Sequence, residues 1–121
     1  MRDHTKLKAF VMADALALEV YCATRRFPAE ERFGLASQMR RSAVSVPSNI
    51  VEGCARHTES DFLHFLDMAY GSACELEYQI SLSYRLGYLN EESYNAIHPK
   101  STETTKIING LICSFRQKPE D

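Results

Sequence analysis

At 121 residues, with 45% hydrophobic and 25% charged side chains, the chain has the size and composition of one domain around one core, which excludes a disordered, tail-like protein. A formal net charge of −2 argues against a dedicated nucleic-acid binder, whose phosphate contacts need an excess of Lys and Arg. Cys22, Cys54, Cys74 and Cys113 are scattered without a C-x-x-C spacing, so neither a disulfide framework nor a zinc ribbon is suggested, and a reduced, cytoplasmic chain is expected.

The most apolar early segment, Ala9 to Tyr21, contains Asp14 and Glu19 and is too short and too charged to cross a bilayer or to act as a secretory signal. No membrane association or targeting is expected. Charge is unevenly spread: residues 1–57 carry nine Lys/Arg against six Asp/Glu, and residues 58–121 carry five against ten. Such polarity favours head-to-tail contact between copies, although solvated helix faces produce the same pattern.

No stretch alternates with period two for long enough to make a strand, and four segments have helical periodicity. The predicted fold is all-α, an up-down-up-down antiparallel four-helix bundle formed by a single domain over residues 1–121. The first helix, Asp3 to Thr24, is predicted to bury Leu7, Phe10, Val11, Ala17, Leu18 and Tyr21. Pro28 suits the first turn of the second helix, followed by Glu30 and Glu31 where a helix N-terminus favours negative charge. That helix continues through Leu35, Met39, Val46, Ile50 and Cys54.

Thr58-Glu59-Ser60-Asp61 reads as an N-cap with acidic residues behind it. The third helix then carries Phe62, Leu66, Ala69, Ala73, Leu76, Ile80 and Ser83 at alternating spacings of four and three, the seam of helices packed at a shallow angle. Gly87 stops it, with Tyr88 and Leu89 available to fold back. Asn90, Glu91 and Glu92 open the fourth helix, where Tyr94, Ile97, Ser101, Thr104, Ile108, Leu111 and Phe115 repeat the spacing.

Two prolines fall inside these patterns. Pro47 removes a hydrogen bond to the carbonyl of Ala43, at a cost of about 3 kcal/mol, so a kink is predicted, or a break with Ser45 or Ser48 capping the second piece. Pro99 makes a local break equally reasonable in the fourth helix. Asn49, near the apolar face, is expected to satisfy its amide on helix carbonyls freed by Pro47. Arg41 with Glu52, or Arg40 with Glu75, could pair across helices.

The third helix has more apolar residues than one stripe can hold. Met68, Tyr78 and Leu82 fall toward its far side and, with the small pair Gly71-Ser72, are candidates for an interface between subunits. Scattered exposed apolar residues on a monomer are the plainer alternative. The residues that could engage RNA or DNA are Arg25, Arg26, Arg40, Arg41 and Arg56. Cys54, His57, Asp61 and His64 have a spacing that permits a metal, but a solvated helix end interrupted by the Thr58 cap accounts for them more simply. No phosphate loop, nucleophile elbow, H-E-x-x-H or Glu-x-x-His signature is present, so neither catalytic nor metal nor cofactor-binding residues are assigned.

The stretches "RRSAVSVPSNIVEGCAR" and "DFLHFLDMAYGSACELEYQISLSYRLGYLNEE" resemble the bacterial four-helix-bundle family encoded in intervening sequences of 23S rRNA genes, which is similar to the accessory variability proteins of diversity-generating retroelements. The matching positions include Arg41, Pro47, Asn49, Glu52, Gly53, Gly71, Glu75 and Glu77. The resemblance implies a homopentameric ring without enzymatic activity for most members. Its retroelement relatives bind a reverse transcriptase and nucleic acid through a basic surface, from which the acidic second half of this chain departs. The implied role is a homo-oligomeric scaffold or adaptor with a protein partner; the alternative is an accessory protein that binds RNA or DNA.

Overall fold

Asp3 opens the chain's first turn by accepting hydrogen bonds from the Thr5 amide and hydroxyl at 3.0 and 2.6 Å. A computed structural model describes residues 2–116. In it, a short 3-10 turn over His4–Lys6 leads into α1 (Lys8–Thr24), and a second over Ala29–Glu31 precedes α2 (Leu35–Cys54). The helices α3 (Glu59–Arg85) and α4 (Glu91–Arg116) follow after short connections, and there is no strand among the described residues.

The second helix starts later than its sequence pattern predicts. Gly34 interrupts the chain at φ −108° and ψ −116°, and Glu31 reaches back so that its Oε1 accepts from the Leu35 amide at 3.0 Å. A carboxylate thereby satisfies a free N–H at the positive end of α2. A Cβ at Gly34 would stand 2.5 Å from that oxygen, so the glycine leaves room for the carboxylate.

The apolar face of α1 also differs from expectation. Its buried residues are Ala9, Ala13, Leu16, Val20 and Thr24, whereas Val11, Leu18 and Tyr21 are exposed and Leu7, Phe10 and Ala17 are half-buried. Leu7, Phe10 and Ala17 still pack against the core edge, but the fully inward stripe keeps helical spacing with mostly small side chains, and the large Val11, Leu18 and Tyr21 lie outside it.

The seam of α3 is as predicted, with every residue from Phe62 through Ser83 of the four-three series buried. Thr58 Oγ1 accepts from the Asp61 amide at 3.1 Å, and Asn90 Oδ1 accepts from the Ser93 amide at 2.7 Å, capping α3 and α4. Gly87 adopts φ +81°, and the amides of Tyr88 and Leu89 return to the Ser83 carbonyl, which buries Leu89 beneath the turn.

Neither proline breaks its helix. Pro47 is buried inside an uninterrupted α2, and α4 runs through Pro99 without a gap. The long α2–α3 contact, the most extensive helix pairing in the protein, holds the chain helical past the missing N–H.

Each helix packs beside two others: α1 and α3 both touch α2 and α4, leaving α1 diagonal to α3. One core region gathers Ala9 and Ala13 from the start of α1, Ile50 and Cys54 from the end of α2, Phe62 and Leu66 from the start of α3, and Ile108 and Ile112 from the end of α4. The other gathers Leu16, Val20, Met39, Leu76, Ile80 and Ile97. Starts meeting ends in this way is the up-down-up-down antiparallel bundle. Arg2 closes the first region, its amide bonded to the Cys54 carbonyl at 2.8 Å and its guanidinium 4.1 Å from the Phe62 ring centre.

Candidate interaction surfaces

The polar residues of the motif-bearing segments build a seam between α2 and α3. Asn49 Nδ2 donates to the Ser45 carbonyl at 2.8 Å and to Ser45 Oγ at 3.0 Å, so its acceptor is one turn back on α2 and not the Ala43 carbonyl. Ser45 Oγ and Ser72 Oγ lie 2.8 Å apart, linking the two helices. One turn along, Ser42 Oγ and Gln79 Nε2 both donate to Glu75 Oε1, at 3.1 and 3.2 Å. A Cβ at Gly53 would lie 3.0 Å from Phe65 Cβ and 3.3 Å from the Phe62 carbonyl oxygen, so this glycine sets how closely the end of α2 approaches α3. Pro47 lies on the same buried side of α2. These groups fix register, since displacing one helix along the other would leave several of them without partners.

The ion pairs suggested by the sequence do not form. Arg40 Nε donates to Thr24 Oγ1 at 2.8 Å and its terminal nitrogen to the Tyr21 carbonyl at 3.3 Å, tying α2 to α1. Arg41 and Glu52 are exposed. Among the described residues, Lys100 pairs with Glu19 and Arg116 with Asp67.

Of the candidate interface residues, Met68 is 45% and Tyr78 59% exposed, while Leu82 is half-buried beside the core. Gly71 faces open space, and Ser72 is occupied by Ser45. A second apolar surface, missed by the sequence reading, lies along α1 and α2: Leu18 is 66% exposed, with Val11, Tyr21 and Val44 also outward. The signal was present in the large apolar side chains at 11, 18 and 21, which recur at helical spacing.

The five candidate arginines do not make one patch. Arg25 and Arg40 share a recess at the end of α1, whereas Arg26 lines a groove between α1 and α4. Arg41 points to solvent, and Arg56 stacks 4.6 Å from the Phe65 ring centre. From residue 40 to residue 56 is about 24 Å along a helix at 1.5 Å per residue, so Arg56 belongs to the opposite end of the bundle.

Cys54 is buried, and burial raises its thiol pKa, while His57, Asp61 and His64 are exposed. No group of three or more His, Cys, Asp or Glu side chains among the described residues could hold a metal. All four cysteines are free thiols, and Glu77 lines a shallow groove between α3 and α4 with Tyr70, Cys74 and His98. No helix among the described residues is long and apolar enough to cross a membrane.

The model of a family described as 23S rRNA-intervening sequence protein matches residues 5–110. A similar solved structure is that of a Bacteroides thetaiotaomicron protein of unknown function from the S23 ribosomal protein family, with 27% identity and a TM-score of 0.79. The alignment covers 86% of this chain and 97% of that one. No curated protein matches the sequence.

Proposed function

Because the chain belongs to the 23S rRNA-intervening sequence protein family, we propose that it is a non-enzymatic, homo-oligomeric helical scaffold or adaptor. The observation that carries this reading is the presence of outward apolar surfaces on two different helices, Val11, Leu18 and Tyr21 on α1 and Met68 and Tyr78 on α3. Two unlike surfaces on one chain suit a heterologous contact, in which each copy offers one surface to the next and a ring results when the rotation closes. A pentamer is the closure that the family resemblance implies, and a protein partner would then bind the assembled ring.

Light scattering of the purified chain at micromolar concentration tests this. A mass at a multiple of 13.8 kDa is expected, fivefold for the pentamer, with dissociation on Leu18→Ser or Tyr78→Ser. A single-chain mass overturns it. The alternative, an RNA- or DNA-binding accessory protein, draws on Arg25 and Arg40 standing together; filter binding that weakens steeply with salt would favour it, and no binding at low salt would remove it.

A further inference from the structure

The end of α1, the 3-10 turn and the start of α2 enclose a recess of about 300 Å³ that contains three arginines, Arg25, Arg32 and Arg40, and no carboxylate among its described lining residues. We propose that this recess binds the phosphoryl group of a small phosphorylated ligand, an inference independent of self-assembly.

Arg40 is the fixed element. Its Nε is held by Thr24 Oγ1, which is itself buried and anchored on the Val20 carbonyl at 2.8 Å, and its guanidinium lies 4.8 Å from the Tyr21 ring centre. These contacts leave part of the donor fork unused. A guanidinium held in this way presents paired N–H groups to a phosphoryl oxygen with little rotamer freedom left to lose. Arg25 and Arg32 are exposed and have no ion-pair partner among the described residues, so the local positive charge is not neutralised from within. Of the two carboxylates in the turn, Glu30 is exposed and outside the recess lining, and Glu31 is engaged elsewhere: one oxygen accepts from the Leu35 amide and the other from Tyr88 Oη at 2.9 Å. Phe27 and Pro28 give the recess an apolar wall.

The volume is at the lower limit for small-molecule clefts, about 300–1,000 Å³. Three arginines line this concavity, Arg32 with its guanidinium 5.5 Å from the exposed Phe33 ring beside it, and such a lining suits a terminal phosphate, whose dianion can be approached from several sides. A nucleic-acid backbone would instead follow a basic stripe, and Arg41 and Arg56 do not extend one from this point.

Calorimetric titration of the full chain with phenyl phosphate, inorganic phosphate and oligouridylate at low ionic strength tests the proposal. Saturable binding of one phenyl phosphate per chain is expected. Its Kd should rise at least tenfold in Arg32→Gln and in Arg40→Gln, rise in Arg40→Lys where the fork is lost, and stay unchanged in Arg56→Gln. Arg32 is exposed, so its variant keeps the fold and remains informative if Arg40→Gln loses helicity. Inorganic phosphate binding as tightly as phenyl phosphate assigns the site to the free anion, and weaker binding assigns it to an ester. No saturable binding of either, equal weakening by Arg56→Gln, or binding of oligouridylate alone overturns the proposal.

Discussion

Helices α1 and α3 stand diagonally across the bundle, and both are apolar on more than one side, yet the inward face of α3 carries larger side chains than that of α1. In α3 the large residues Phe62, Leu66, Leu76 and Ile80 point inward and are fully buried. In α1 the inward stripe begins with Ala9 and Ala13, while Val11, Leu18 and Tyr21 point outward. Burial is therefore governed by where neighbouring helices run, and residue size follows only when the space between them is wide. The inner face of α3 supplies much of the hydrophobic stabilisation. The outer face of α1 keeps apolar surface in water, where it is available to another molecule.

Substitutions on the two helices should separate these roles. The largest effect is expected for Phe62→Ala, which removes a buried ring packed against Phe115 and under Arg2, and should cost about 3–5 kcal/mol in denaturant unfolding. A loss below about 1 kcal/mol would show that this end of the core is loosely packed. Ala13→Leu tests the opposite case, since adding volume to the narrow α1 stripe should destabilise by about 1–3 kcal/mol. Leu18→Ser and Tyr78→Ser, on the outer surfaces, should change monomer stability by no more than about 0.5 kcal/mol while altering the mass in solution. If they unfold the chain instead, those side chains belong to the fold and not to an interface.

The smallest effect concerns Glu31 at the start of α2. The Leu35 amide, followed by the Tyr88 hydroxyl, holds its carboxyl below the usual glutamate range. A depressed folded-state pKa adds stability above the unfolded value, and that stability is lost as pH falls through the folded one. Tyr88→Phe should therefore be slightly less stable than the parent near neutral pH, with the two converging in acid, as read from thermal midpoints between pH 3 and 7. A constant difference across that range would mean that Tyr88 acts through packing alone.

Much of this architecture was legible in the residues. The series from Phe62 to Ser83 has one spacing and mostly large side chains, and its Thr58 cap and Gly87 stop are local signals, so α3 could be read directly. In α1 the apolar residues nearly encircle the helix, and only the position of α2 and α4 decides which of them are covered. Pro47 and Pro99 bear on a related point: the local penalty does not break either helix, because packing along the whole of α2 and α4 outweighs it. The arginines illustrate a different limit. Sequence supplies their number, whereas Arg32 joins Arg25 and Arg40 only through the turn at Ala29–Glu31, and Arg56 is carried to the far end by the length of α2.

The clasp of Arg2 on the end of α2 has a bearing on the order in which the chain folds. The Cys54 carbonyl and the Phe62 ring that receive it are more than fifty residues away in sequence. They come together only once α2 has ended and α3 has turned back along it. Contacts so distant in sequence close late, after local helix and hairpin contacts have restricted the search. Slowed hydrogen exchange at the Arg2 amide should thus develop last during refolding, so that the segment ahead of α1 settles after the helices it clasps.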